Sequence, residues 1–88
     1  MVDSNTATPV RSLSEIAREI SRAWPKPSFG AVPYLDAMRS LDRITDSYGA
    51  DSGKSIVAYF LSNAATWRGE PARRIKKELN AMIKETRK

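Results

Sequence analysis

The sequence predicts an all-α fold, a compact bundle of four short helices, on three observations. Apolar residues recur at helical spacing in four separate stretches, proline and glycine punctuate the gaps between them, and no stretch alternates apolar and polar residues as a half-buried strand does. The helices are expected at about residues 13–24, 33–46, 52–67 and 71–86, with the third one central. Residues 12–88 read as a single helical domain. Residues 1–11, polar and without apolar periodicity, read as a disordered N-terminal segment.

The first helix opens on Ser12-Leu-Ser-Glu15, a capping-box pattern in which the serine hydroxyl and the glutamate each take one orphan N–H. Leu13, Ile16, Ala17, Ile20 and Trp24 then fall on one stripe, and Pro25 and Pro27 stop the helix because neither can donate a backbone hydrogen bond. Pro33 suits the first turn of the second helix, whose stripe is Tyr34, Leu35, Met38, Leu41 and Ile44. Tyr48-Gly-Ala-Asp-Ser-Gly53 reads as a turn. In the third helix Ile56, Phe60, Ala64 and Trp67 share a face, and the opposite side is small. The segment Ser55–Trp67 carries no charge, as expected of an element wrapped by others. Gly69 is expected to end it. Glu70-Pro71 starts the fourth helix, with Ala72, Ile75, Leu79, Met82 and Ile83 inward and Arg74–Glu78 as an i,i+4 pair.

The net charge of the 88-residue chain is +5, and all of it resides in the last third. Residues 68–88 hold eight basic and three acidic side chains, and the preceding residues balance. A chain this short supports one domain of modest stability. It has no cysteine and no histidine, so disulfides, thiolate metal sites and the commonest general base are unavailable. No run is long enough to span a bilayer, and the first residues lack a secretory layout; a cytoplasmic protein is expected.

Gly49-Ala-Asp-Ser-Gly-Lys-Ser55 approaches a phosphate-binding loop but has three residues between its glycines where the motif needs four, and no strand precedes it. Asp36, Asp42, Asp46 and Asp51 match no calcium loop. Ser55, Ser62 and Tyr59 have no histidine to activate them. Neither an enzyme nor a cofactor is expected. Two surfaces could carry binding. Trp24, Phe29 and Tyr48 are aromatic residues at the edges of the helices, suited to anchoring a partner protein. Arg73, Arg74, Lys77 and Lys84, on the fourth helix, could contact nucleic-acid phosphates, although few residues there would read bases. The small face Ser55, Ala58, Ser62 and Ala65 would allow two copies to pack as a homodimer if no other helix covers it.

Four blocks carry a resemblance: Phe29-Gly-Ala-Val-Pro-Tyr-Leu-Asp-Ala-Met38, Tyr48-Gly-Ala-Asp-Ser-Gly53, Tyr59-Phe-Leu-Ser-Asn-Ala64, and Trp67-Arg-Gly-Glu-Pro-Ala-Arg-Arg-Ile-Lys-Lys-Glu-Leu79. Over about residues 12–84 the chain resembles a family of small proteins encoded by actinobacteria and their phages. The resemblance implies a phage or prophage accessory protein acting in the bacterial host cytoplasm, and it implies no catalytic residue. The expected function is therefore a non-enzymatic protein-interaction module that binds a host factor, with nucleic-acid binding through the basic C-terminal helix as the alternative.

Overall fold

A computed structural model describes residues 11–85. Their order is α1 (Leu13–Ala23), a 3-10 turn (Phe29–Ala31), α2 (Val32–Met38), β1 (Ser47–Tyr48), β2 (Asp51–Ser52), α3 (Gly53–Ser62) and α4 (Glu70–Glu85). Among the described residues the fold is mostly helical, with four α-helices and one two-stranded antiparallel hairpin that pairs Ser47 with Ser52 and Tyr48 with Asp51. The expectation of a purely helical chain is corrected by that hairpin. Its two-residue loop, Gly49-Ala50, has a positive φ at Gly49 alone (62°), which suits a II′ turn.

α1 starts as the sequence predicts. Ser12 Oγ accepts from the Glu15 N–H, and Glu15 Oε1 accepts from the Ser12 N–H, both at 3.1 Å. Leu13, Ile16, Ala17 and Ile20 are fully buried. The Leu13 and Ser14 N–H groups donate to the carbonyls of Asp42 and Leu41, both at 2.9 Å, so the start of α1 is stitched to the segment after α2.

That segment is where the prediction overruns. α2 ends at Met38 rather than near residue 46. The N–H groups of Ser40 and Leu41 donate three residues back, to Ala37 and Met38, which tightens the chain out of α-helical geometry. Asp46 then closes a turn by accepting on Oδ2 from the N–H groups of Asp42 and Arg43. Leu41 and Ile44 are nevertheless buried. α3 likewise ends at Ser62, five residues before its expected end, and Gly69 does not terminate it. The N–H of Ala64 donates to Leu61 and that of Trp67 to Ala64, so Trp67 enters the core from a loop.

The core draws on all four helices and the segments between them, with Phe60, Met38, Ile75 and Leu79 among its largest fully buried side chains. α1 packs against α2 and α4, and α3 packs against the same two helices. The arrangement is a ring, and α3 is not wrapped by the others as expected: Ala58, Tyr59 and Ser62 face solvent. No helix among the described residues is long and apolar enough to cross a membrane. The expected disordered segment lies outside the described residues except for Arg11, which is anchored. Its guanidinium donates to Glu78 at 2.7 and 3.0 Å and to Glu19 at 2.7 Å, linking the chain before α1 to α4.

Candidate protein-docking face

Two uncharged segments meet on one side of the molecule. Residues 27–35 run through the 3-10 turn into α2, and residues 55–67 make up most of α3 and the loop after it. Ser28 Oγ donates to the Asn63 carbonyl at 2.6 Å. The Asn63 amide donates to the Tyr59 carbonyl at 2.8 Å, and Gly30 lies so near that a Cβ there would stand 2.5 Å from Asn63 Oδ1. The rings of Tyr34 and Tyr59 meet at 5.4 Å.

The 3-10 turn, closed by the Ala31 N–H donating to the Ser28 carbonyl, buries Ala31 and leaves Phe29 outside. Phe29 is 94% exposed, and Tyr59 and Val32 are exposed as well. A single exposed ring is ordinary on a protein surface; the grouping of Phe29 and Val32 on one turn, packed against the helix that carries Tyr59, is what makes this side a candidate.

The structure separates the three aromatic contact residues expected from sequence. Trp24 belongs to the core margin: its ring stacks on Trp67 at 5.4 Å and 8°, and meets Phe60 edge-on at 6.3 Å. Trp24 is half-buried there, with part of its ring left to solvent. Tyr48 is exposed but sits in the hairpin before the N-terminus of α3, whereas Phe29 adjoins its C-terminal end, about 15 Å away along a ten-residue helix. Phe29 and Tyr48 are both exposed, at opposite ends of α3, and Tyr59, not singled out as a contact, is exposed on the helix that Phe29's turn packs against. The missed signal was the i−4 spacing of Tyr59 from Asn63, the residue on which residues 28–30 rest.

The small face is open as its dimer reading requires: Ala58, Ser62 and Ala65 are exposed and Ser55 partly so. Ala65, however, follows the end of α3 and no longer shares its helical stripe.

Two of the four expected nucleic-acid contacts form ion pairs. Arg74 pairs with Glu19 across the α1–α4 contact rather than with Glu78. Arg73 pairs with Glu70 at 2.7 Å. Lys76 donates to the Trp67 carbonyl at 2.7 Å and holds the loop after α3. Lys77 and Lys84 are exposed and line a shallow groove of about 420 Å³ with Asn80. The Asn80 amide donates to the Lys76 carbonyl on its own helix.

Two carboxyls are held below their usual range. Arg74 and then Arg11 hydrogen-bond Glu19 and favour its ionised form. The N–H groups of Arg43 and then Asp42 do the same for Asp46. Neither carboxyl is thereby made a base. At the start of α3 the N–H groups of Gly53 and Ser55 already donate to the Asp46 carbonyl and Ser52 Oγ, which the chain itself supplies. Among the described residues no cluster of three or more acidic, histidine or cysteine side chains is placed to hold a metal. Compared with known proteins, the chain matches no family model, no curated protein and no solved structure.

Proposed function

We propose that this chain is a non-enzymatic protein-interaction module that binds a partner through the uncharged face around Phe29. The observation that carries the reading is the 94% exposure of Phe29 beside a half-exposed Tyr59, on backbone fixed by the Ser28–Asn63 hydrogen bond. A fixed backbone lowers the ordering cost of binding, and aromatic rings dominate protein interfaces. The resemblance to small phage-encoded proteins of actinobacteria supports a host protein in the bacterial cytoplasm as the partner.

The test is affinity purification from an actinobacterial lysate with the wild-type chain and a Phe29→Asp variant side by side. A partner retained by the first and lost by the second, at unchanged melting temperature, is the expected result. A partner held equally by both refutes the reading. Nucleic-acid binding through α4 is the second reading. Of its four expected contacts it rests on Lys77 and Lys84, which have no ion pair among the described residues. A gel shift at low salt that disappears in a Lys77→Glu, Lys84→Glu double variant would support it.

A further inference from the structure

α4 differs from the other helices in how it is attached. The eleven residues of α1 include four buried ones and the ten of α3 include four, whereas the sixteen of α4 include three, Ala72, Ile75 and Leu79. Backbone hydrogen bonds join the other segments to one another. The Leu13 and Ser14 N–H groups reach the carbonyls of Asp42 and Leu41, and the Gly53 N–H reaches that of Asp46. α4 is tied to the body by charged side chains instead. Glu78 accepts two N–H groups of Arg11, at 2.7 and 3.0 Å. Arg11 also donates to Glu19 at 2.7 Å, and Arg74 reaches from α4 to the same Glu19. These four groups form one clasp across the α1–α4 seam, and Arg11, Glu19 and Glu78 are partly buried in it.

The N-terminal end of α4 has a pivot. Trp67 is fixed in the core by its stack on Trp24 and its edge contact with Phe60. Two residues later Gly69 holds φ at 102°, where glycine is at ease, and no atom stands within 4 Å of the place a Cβ would take. The chain is anchored at Trp67, can turn at Gly69, and is clasped at Glu78, about 12 Å along the helix from Glu70.

We infer that α4 is a hinged arm that opens as a unit about Gly69 while α1, α2 and α3 stay folded, and that Arg11 is the latch that keeps it closed. Opening breaks the Arg11–Glu78 and Arg74–Glu19 bonds and uncovers Ala72, Ile75 and Leu79. It leaves intact the backbone bonds that join α1, the segment after α2, and α3. Elements with few buried apolar side chains are the ones that open below the global unfolding free energy. Because Arg11 precedes α1, the chain before the first helix governs the last one. The device lies on α1 and α4, so it does not depend on the docking reading of the Phe29 face.

The experiment is native-state hydrogen exchange of the full-length chain, read by NMR at increasing urea below the unfolding transition. Amides of residues 75–82 are expected to exchange through an opening with a smaller urea dependence than that of the buried amides of α3, since it exposes less surface. Arg11→Gln should speed exchange in α4 about tenfold or more, because hydrogen bonds between charged groups are lost. Glu78→Gln leaves Arg11 on Glu19 and should act in the same direction with less risk to the fold. Gly53→Ala crowds a carbonyl in the turn before α3, a contact that persists when the arm is open. It should therefore speed exchange in α3 and leave α4 unchanged within about twofold. One urea dependence shared by α3 and α4, or equal acceleration of both by Gly53→Ala, overturns the hinged arm. Exchange in α4 that neither Arg11→Gln nor Glu78→Gln accelerates overturns the latch.

Discussion

Gly30 and Gly53 provide the sharpest test of the packing, because the shorter contact should be the harmless one. A Cβ at Gly53 would lie 2.7 Å from the Ile44 carbonyl oxygen and 3.1 Å from that of Arg43. Reaching the 3.4 Å of ordinary contact requires the Ile44 carbonyl to retreat by about 0.7 Å. That carbonyl is backbone in a turn pinned by the Gly53 N–H to the Asp46 carbonyl, the Asp46 N–H to the Arg43 carbonyl, and the Asp46 side chain. Overpacking of this kind costs about 1–3 kcal/mol. Removing a glycine from the unfolded chain returns about 0.4–1 kcal/mol where the backbone is compatible. Gly53→Ala should therefore lose about 1–2 kcal/mol, or roughly 5–15 °C of melting temperature for a domain of this size. At Gly30 the added Cβ meets Asn63 Oδ1 at 2.5 Å, but that atom ends a rotatable side chain. Moving it sacrifices one exposed hydrogen bond, from the Asn63 amide to the Tyr59 carbonyl, worth about 0.5–1.5 kcal/mol. The gain from the lost glycine nearly offsets this, so Gly30→Ala should shift the melting temperature by less than about 5 °C. Circular-dichroism melts of both variants decide the matter. A Gly30→Ala variant less stable than Gly53→Ala refutes the argument.

Other consequences are as direct. Phe60→Ala, at a fully buried ring that meets Trp24 and Trp67 edge-on, should cost about 3–5 kcal/mol by urea denaturation; the same change at Phe29 should stay within about 0.5 kcal/mol. Ser12→Ala removes the cap of α1 and should cost about 1 kcal/mol in the same assay. Because the folded Glu19 carboxyl titrates below its unfolded value, its stabilisation is present above the ordinary glutamate pKa of about 4.3 and is lost as pH falls through the lowered folded value. Arg74→Gln should return the Glu19 titration, followed by NMR, towards the ordinary range more than Arg11→Gln does, since the Arg74 hydrogen bond is the larger cause.

How far the fold was legible follows from what periodicity can distinguish. α1 was legible to within a residue at each end, and α4 to within a residue at its start. The first announces itself with a capping box and the last with an acid-proline start and long apolar stripe. The second helix was overdrawn because Leu35, Met38, Leu41 and Ile44 are spaced three apart. That spacing fits a row of tight turns as well as an α-helix. All four are buried, so the pattern identified the core correctly while misjudging the backbone that delivers it. The hairpin was missed because four paired residues, all exposed, leave no apolar alternation to read.

The site was harder to read for an electrostatic reason. From sequence, a run of cations on one helix suggests a free basic face, because ion pairs between elements far apart in the chain are invisible. Folding pairs Arg74 with Glu19 and Arg11 with Glu19 and Glu78, and sends Lys76 to a loop carbonyl, so the net charge of α4 overstates what it offers a ligand. The same folding brings the uncharged segments 27–35 and 55–67 together. Each alone resembles ordinary core or connector, and only their meeting leaves Phe29 and Tyr59 on a shared surface. Substitution separates the two surfaces. Lys77→Glu should leave partner binding unchanged within about twofold, because its charge lies on the outer face of α4, whereas Phe29→Asp should weaken it about tenfold or more without altering the melt. Equal effects from the two substitutions would mean that net charge, rather than this face, governs binding.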